Sequence, residues 1–176
     1  MNIMEFVAGK GVWEYKQIDT EQIPLSEEVV DACKANRCGQ YGTCWTCPPG
    51  VGTLAEIRER IAKYSKAVVF SCKYDLEDSF DLEGMQEAGK NTREMLAGMV
   101  SELRESGVDF MALGCGSCDI CEKCTYPDAP CRFPDKAIVS VEACGINVVT
   151  LPRSIGIRYN NGPDTVTYFC MILYTE

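Results

Sequence analysis

The sequence contains no histidine among its 176 residues. Histidine is the usual general base near neutral pH and a common nitrogen ligand for metal ions. Its absence excludes a Ser-His-Asp or Cys-His catalytic arrangement, and it excludes a zinc site with mixed cysteine and histidine ligands. Any metal site in this chain must therefore be made mainly from thiolates, with carboxylates as the second choice.

The chain also lacks a long apolar run and an excess of basic residues. No segment approaches the ~18 consecutive apolar residues of a membrane span, and the N-terminus has no basic region leading into an apolar stretch. With 17 basic and 26 acidic residues the formal charge is −9, whereas nucleic-acid-binding domains are usually basic. We therefore predict a cytoplasmic protein that binds neither nucleic acid nor a membrane.

Cysteine, in contrast, is abundant, with twelve residues in the chain. A chain of this length buries about 70% of its unfolded surface, so it does not need disulfides to fold. Because cytosolic thiols are kept reduced, this cysteine density indicates metal or redox chemistry before structural disulfides. The length suits one compact unit, and we predict that residues 1–176 form a single cysteine-rich metal-binding domain.

Hydrophobic periodicity predicts alternating helices and strands. We expect strands over residues 12–18, 67–74, 108–113 and 165–174, and helices over 27–35, from Thr53 to about Tyr64, over 81–106 and over 137–143. Ser26 and Thr53 are predicted N-caps. The order of the middle elements favours an α/β fold, a small mixed sheet with a parallel central pair, helices packed on it and two cysteine-rich metal-binding loops.

The stronger cysteine pattern follows the strand predicted over 108–113. Four cysteines recur at every third residue and a fifth follows after six more: Cys115, Cys118, Cys121, Cys124 and Cys131. Cys-x2-Cys-x2-Cys is a spacing that supplies three ligands to a [4Fe–4S] cluster, and a more distant cysteine beside a proline supplies the fourth. Two overlapping registers fit this spacing. We prefer the one that begins at Cys118, with Cys131 as the fourth ligand and Cys115 as an adjunct thiol.

A second candidate set lies in the loop that precedes Thr53. Cys44 and Cys47 form a Cys-x2-Cys pair, and Cys33 and Cys38 can complete a set of four thiolates. This spacing is less diagnostic because zinc also prefers Cys-x2-Cys pairs in tetrahedral thiolate sites. A zinc site made from Cys44, Cys47 and a pair of cysteines from the later loop therefore stays open as an alternative.

The remaining cysteines have the pattern of packed thiols. Cys72 and Cys170 lie within predicted strands, and Cys144 lies beside Gly145. A free cysteine behaves as a small hydrophobic residue and is among the most often buried. We therefore predict that these three thiols pack in or near the core and bind no metal.

Three motifs resemble those of a cysteine-rich family described as predicted metal-binding proteins of unknown function. They are Cys38-x2-Tyr41-Gly42-x2-Trp45-x-Cys47-Pro48-Pro49, Cys118-x2-Cys121-x2-Cys124-x6-Cys131-Arg132-x-Pro134 and Ser140-x-Glu142-Ala143-x-Gly145-Ile146-x-Val148. The resemblance implies metal binding by Cys38, Cys47, Cys118, Cys121, Cys124 and Cys131. This chain differs in its additional Cys44 and Cys115 and in its wider gap between Cys33 and Cys38.

These patterns lead to one main hypothesis and two alternatives. The main hypothesis is an iron–sulfur protein with one or two [4Fe–4S] clusters in all-cysteine sites, which transfers electrons to a redox partner protein that docks on the acidic helix predicted over 81–106. The first alternative is an enzyme with an open iron site that acts on a small substrate, with Arg132 and Glu142 as anion-binding and acid–base candidates. The second is a structural zinc protein with an all-cysteine site.

Overall fold

A computed structural model describes all 176 residues, and its centre is a five-stranded sheet. The strands are β1 (Glu14–Asp19), β2 (Lys66–Asp75), β3 (Phe110–Gly114), β4 (Val139–Ser140) and β5 (Thr165–Tyr174). The helices are α1 (Ile3–Ala8), α2 (Glu27–Lys34), α3 (Leu54–Ile61), α4 (Leu82–Glu105) and α5 (Thr150–Ser154). Two short 3-10 turns cover Thr20–Gln22 and Glu142–Cys144. No helix is both long and apolar enough to cross a membrane.

The strand order is β1-β2-β5-β3-β4, and the sheet is mixed. The last strand, β5, lies between β2 and β3 and is antiparallel to both. The parallel pair is formed by β3 and β4, which share a register of Leu113 with Val139 and Gly114 with Ser140. The predicted α/β fold with a mixed sheet and a parallel pair is therefore confirmed. The parallel pair lies at the edge of the sheet and not at its centre, because the antiparallel strand β5 is inserted between β2 and β3.

Both faces of the sheet are buried. Along β2, Val68, Phe70 and Cys72 face α1 and α4, whereas Ala67 and Val69 face the opposite cluster, which includes residues of α3 and α5. Side chains alternate between the two faces of a strand, so burial on both faces requires an uninterrupted apolar run. This requirement explains the unbroken apolar run of β5 from Phe169 to Leu173, all of which are buried.

The predicted helix starts agree with the structure. The Ser26 side chain accepts a hydrogen bond from the backbone N–H of Glu28 at the start of α2. Thr53 and Glu56 form a reciprocal capping box at the start of α3. These contacts satisfy backbone N–H groups that have no partner inside the helix, so the predicted N-caps are confirmed.

The helix predicted over 137–143 is wrong. Those residues form β4 and the first part of the 3-10 turn Glu142–Cys144. Ile138, Val139 and Val141 are β-branched, which favours extended backbone, and Val139 pairs with Leu113 of the neighbouring strand. The short helices α1 and α5 have six and five residues, too few for a helical period to be visible in the sequence.

Candidate metal centre

Two loops carry the predicted ligands other than Cys33, which lies in α2, and each loop follows a regular element. The first cysteine loop (35–52) runs from the end of α2 to the start of α3, and the second cysteine loop (115–136) begins directly after β3. The second loop is held by bonds from its own side chains to its backbone. Thr125 Oγ1 donates to the carbonyl of Pro130 at 2.9 Å, and Arg132 Nη1 donates to the carbonyl of Lys123 at 2.8 Å.

The two loops pack against each other through aromatic and polar contacts. Trp45 Nε1 donates to the carbonyl of Ala129 at 3.0 Å, and its ring meets that of Tyr126 edge to face at 4.9 Å. The backbone N–H of Cys118 donates to Thr46 Oγ1 at 3.3 Å. Gly50 permits this approach, because a Cβ there would lie 2.9 Å from Tyr126 Cε2 in the second loop.

Between the loops lies a small cavity that is lined by five cysteines, which we call the sulfur cavity. The five are Cys44 from the first loop and Cys118, Cys121, Cys124 and Cys131 from the second. The other lining residues include Trp45, Thr46, Ile120 and Phe133, and none is an aspartate or a glutamate. The structure thus brings together the four cysteines of the preferred register with one cysteine from the other loop.

Hydrogen bonds stabilise the thiolate of Cys44. This residue is only 4% exposed, and burial acts to raise the pKa of its thiol. Hydrogen bonds from Thr46, Cys47 and Thr43 outweigh that effect, so the pKa lies below its usual value. The neighbouring thiol behaves in the opposite way. Burial and the interaction with Cys44 raise the pKa of Cys47 to about 12. Cys44 is therefore the better thiolate of the pair.

The other cysteines of the first candidate set lie outside the sulfur cavity. Cys33 is in the last turn of α2, Cys38 is exposed and Cys47 is buried. Burial, and then the charges of Cys38 and Glu142, raise the pKa of Cys33. The charges of Cys33 and Cys38 also act to raise the pKa of Cys47. None of the three lines the sulfur cavity.

The three predicted adjuncts lie in different places. Arg132 lines the sulfur cavity. One of its guanidinium nitrogens donates a hydrogen bond to the carbonyl of Lys123, so this side chain stabilises the loop. Glu142 is half-buried in the 3-10 turn after β4, where burial raises the pKa of its carboxyl. It lines a shallow pocket with residues of α2, away from the sulfur cavity.

Cys115 lies outside the sulfur cavity and belongs to a buried group of thiols. Its Sγ lies 3.8 Å from the carbonyl oxygen of Gly89 in α4. A hydrogen bond with Cys170 lowers the pKa of Cys115 and raises that of Cys170, and the charge of Cys115 also acts on Cys72. Cys72 and Cys170 pack in the cluster beneath α4, and Cys144 packs on the opposite face of the sheet. The predicted burial of these three thiols is confirmed.

The donor set of the sulfur cavity is soft. All twelve cysteines are free thiols, and no group of three or more cysteine or carboxylate side chains is closely enough spaced to hold a single metal ion. Thiolates select zinc, copper(I) and iron–sulfur clusters, whereas magnesium and calcium require oxygen ligands. The residues present therefore fit a thiolate-bound metal group and do not fit an oxygen-bound cation.

These features are those of a cysteine-based metal-binding protein. The chain belongs to the family described as "Predicted metal-binding protein (DUF2284)", whose model matches residues 16–174. The match extends well beyond the two cysteine loops and includes every strand except the start of β1. No curated protein matches the chain. No solved structure matches it either.

The sequence patterns did not reveal the contacts that join the loops. The bond from Trp45 to Ala129 links residues 84 positions apart, and the Trp45–Tyr126 ring pair links segments just as distant. The only local signal is a tryptophan two residues before a Cys-Pro-Pro sequence. It indicates a turn held by an aromatic side chain but does not identify the residues which that side chain contacts.

Proposed function

We propose that the protein binds a [4Fe–4S] cluster through Cys118, Cys121, Cys124 and Cys131 and serves in electron transfer. The observation that carries this proposal is the sulfur cavity, in which these four cysteines line one space with no carboxylate among them. Their Cys-x2-Cys-x2-Cys spacing with a distant fourth cysteine is that of cluster ligands.

The surroundings of the cavity suit a cluster that exchanges electrons and carries out no other chemistry. When bound, a [4Fe–4S] cluster supplies one-electron redox chemistry. Trp45, Ile120 and Phe133 give the cavity apolar walls, and such walls limit water access and help to set a reduction potential. The backbone N–H groups of the loop can donate to cluster sulfides, which also tunes that potential.

Cys44 gives the proposed site a fifth thiol. It is the only first-loop cysteine in the cavity, and its pKa lies below the usual value because hydrogen bonds outweigh burial. We propose that Cys44 either replaces one of the four ligands or lies next to the cluster as a thiolate hydrogen-bonded to Thr46. A second cluster at Cys33, Cys38 and Cys47 has weaker support, because Cys38 is exposed and these residues share no cavity.

The partner in this proposal is a basic redox protein that docks on α4. Five glutamates are exposed along this helix: Glu83, Glu87, Glu94, Glu102 and Glu105. Complementary charge speeds association and is screened by salt. Electron transfer to a basic partner should therefore slow as ionic strength rises.

Anaerobic quantification of iron and acid-labile sulfide tests the cluster directly. We expect about four of each per chain at full loading, a broad visible absorption from thiolate-to-iron transitions, and reversible bleaching by dithionite. Iron without sulfide, or neither, would overturn the cluster. A cluster that cannot be reduced and reoxidised reversibly would overturn the electron-transfer role.

Zinc remains a second candidate because Cys44 and Cys47 form a Cys-x2-Cys pair whose first member reaches the second loop. Stoichiometric zinc without visible absorption would favour a structural zinc site.

The enzyme alternative gains support from a second cavity that borders Cys118. Replacing Cys131 with serine separates the enzyme from the electron carrier, since survival of the cluster with loss of turnover alone would favour the enzyme.

A further inference from the structure

A larger cavity, of about 300 Å³, lies between α4 and the start of the second cysteine loop, and we call it the α4 cavity. One wall is a single face of the helix, formed by Arg93, Leu96, Ala97, Val100, Ser101 and Arg104. The opposite wall is formed by residues 114–120 together with Lys136 and Ile138. Small-molecule sites typically have volumes of about 300–1,000 Å³, so this cavity can hold a small ligand.

The inner end of the α4 cavity is apolar and tightly built. A Cβ on Gly114 would lie 2.9 Å from Leu96 Cδ2 and 3.3 Å from Ile138 Cγ2. The end of β3 therefore approaches the helix this closely only because residue 114 has no side chain. Leu96, Val100 and Ile138 surround this end, so the inner part of any occupant must be apolar.

The rim of the cavity carries a surplus of positive charge. Arg93, Arg104 and Lys136 line it with one acid, Asp119, which accepts a hydrogen bond from Arg93 Nε at 3.1 Å. No carboxylate lies within 4.0 Å of Arg104 or Lys136. In a protein with a formal charge of −9, two unpaired cations at the mouth of one cavity form a local attraction for an anion.

We propose that the α4 cavity binds a small organic acid, with its apolar body against Leu96, Val100 and Ile138 and its carboxylate at Arg104 and Lys136. A neutral apolar molecule would leave both cations unpaired, and an inorganic anion would leave the apolar end uncovered. An arginine fork matches the geometry of a carboxylate. The hydroxyls of Ser101 and Ser117 line the same space and offer additional hydrogen bonds.

The α4 cavity is next to the sulfur cavity. Cys118 and Ile120 line both, so one short segment of loop would separate the organic acid from the metal centre. The inference goes beyond electron transfer, because it gives the protein a small-molecule ligand. The inference depends only on the residues that line the α4 cavity and requires no particular metal.

Calorimetric titration of the purified protein with hexanoate tests the proposal. We expect hexanoate to bind at least about tenfold more tightly than hexanol, which lacks the charge, and than acetate, which lacks the apolar body. Equal affinity for hexanoate and hexanol would overturn the proposal. Hexyl phosphate binding more than about tenfold more tightly than hexanoate would overturn the assignment of a carboxylate.

Charge variants locate the binding site. The double variant Arg104→Gln with Lys136→Gln should bind hexanoate at least about tenfold more weakly. Lys90→Gln, on the same helix but outside the cavity, is the matched control and should bind as the unmodified protein does. Unchanged affinity in the double variant would overturn the assignment, and so would an equal loss in the control.

A steric variant tests the same site without changing charge. Ala97→Phe places a ring in the cavity and should abolish hexanoate binding, whereas Asn91→Phe, which is exposed on the same helix and does not line the cavity, should not. Iron and sulfide are measured in the same samples. Selective hexanoate binding without iron would overturn the cluster alone, and a loaded cluster without selective binding would overturn this inference alone.

Discussion

The sheet and the cysteine loops use the same residue type in opposite ways. In the sheet region, Cys72 and Cys170 pack among apolar side chains in a buried cluster of twelve residues. The opposite face of the sheet has a second buried cluster of seventeen residues. In the second cysteine loop, Cys121, Cys124 and Cys131 are only half-buried, and the loop is held by a few hydrogen bonds. The first region is stabilised by apolar burial, whereas we expect the second to be stabilised by the metal group that its thiols are proposed to bind.

The main expected difference between the regions concerns metal content. Cys121→Ser should lower the affinity for the metal group at least about tenfold, because it removes a proposed ligand. Cys170→Ala should leave the metal content per folded molecule unchanged. Iron and sulfide quantification on folded protein measures both effects, and equal losses in the two variants would contradict the separation of the two classes of cysteine.

A core substitution should have the reverse effect, with lost stability and normal metal content. Leu103 is fully buried between α4 and the sheet, at 0% exposure. Leu103→Ala should therefore lower the free energy of unfolding by about 3 kcal/mol. The matched control is Leu82→Ala on the same helix. Leu82 is 69% exposed, so its truncation should change stability by less than about 0.5 kcal/mol. Chemical denaturation provides the measurement.

Alkaline pH should weaken the sheet region through its buried thiols. Burial raises the pKa of Cys144 from 9.0 to about 12. The unfolded chain therefore releases this proton at lower pH than the folded chain, so the stability contributed by Cys144 is complete below pH 9 and is lost as the pH rises towards 12.

The variant Cys144→Ala isolates this effect. The difference in unfolding free energy between the unmodified protein and the variant should shrink by about 1.4 kcal/mol between pH 8 and pH 10. Denaturant titrations at both pH values measure this change. A constant difference would show that the thiol titrates normally in the folded protein.

The smallest expected effect concerns the contact between the loops. Trp45→Phe keeps an aromatic ring but removes the hydrogen bond to Ala129, which should cost about 1 kcal/mol. Trp13→Phe is a matched control, because Trp13 Nε1 donates to Asn161 Oδ1 at 2.8 Å outside the loops. Hydrogen exchange of the amides of residues 118–131 should become faster in the Trp45 variant alone. Faster exchange in both would show that Trp45 does not specifically join the loops.

Local signals made much of the fold predictable. The capping box of Thr53 and Glu56 is formed by residues three positions apart, and the apolar run over 165–174 matches β5. Both depend on neighbouring residues, which a sequence pattern contains. The position of β5 between β2 and β3 depends instead on pairing between distant segments, and no local period reports it.

The candidate site divides in the same way. The spacing of Cys118, Cys121 and Cys124 marks one loop as a ligand set, since all three belong to one short segment. The sequence left open whether Cys44 joins the second loop and could not decide that it lines the same cavity. That placement depends on how Trp45 and Thr46 contact a segment more than seventy residues away. The positive charge around the α4 cavity could not be predicted from the sequence either, because Arg104 and Lys136 are distant in the chain and line the same cavity only in the folded protein.

The central position of β5 has a consequence for how the protein is made. Both cysteine loops precede β5 in the chain, yet β3, from which the second loop emerges, is joined to β2 only through β5. Domains fold as their chain leaves the ribosome from the N-terminal end. The loop thiols therefore emerge from the ribosome before the sheet that holds the two loops together has formed. Metal acquisition should follow translation of residue 174, and a nascent chain stalled before residue 165 should carry its thiols open to oxidation or to binding the wrong metal.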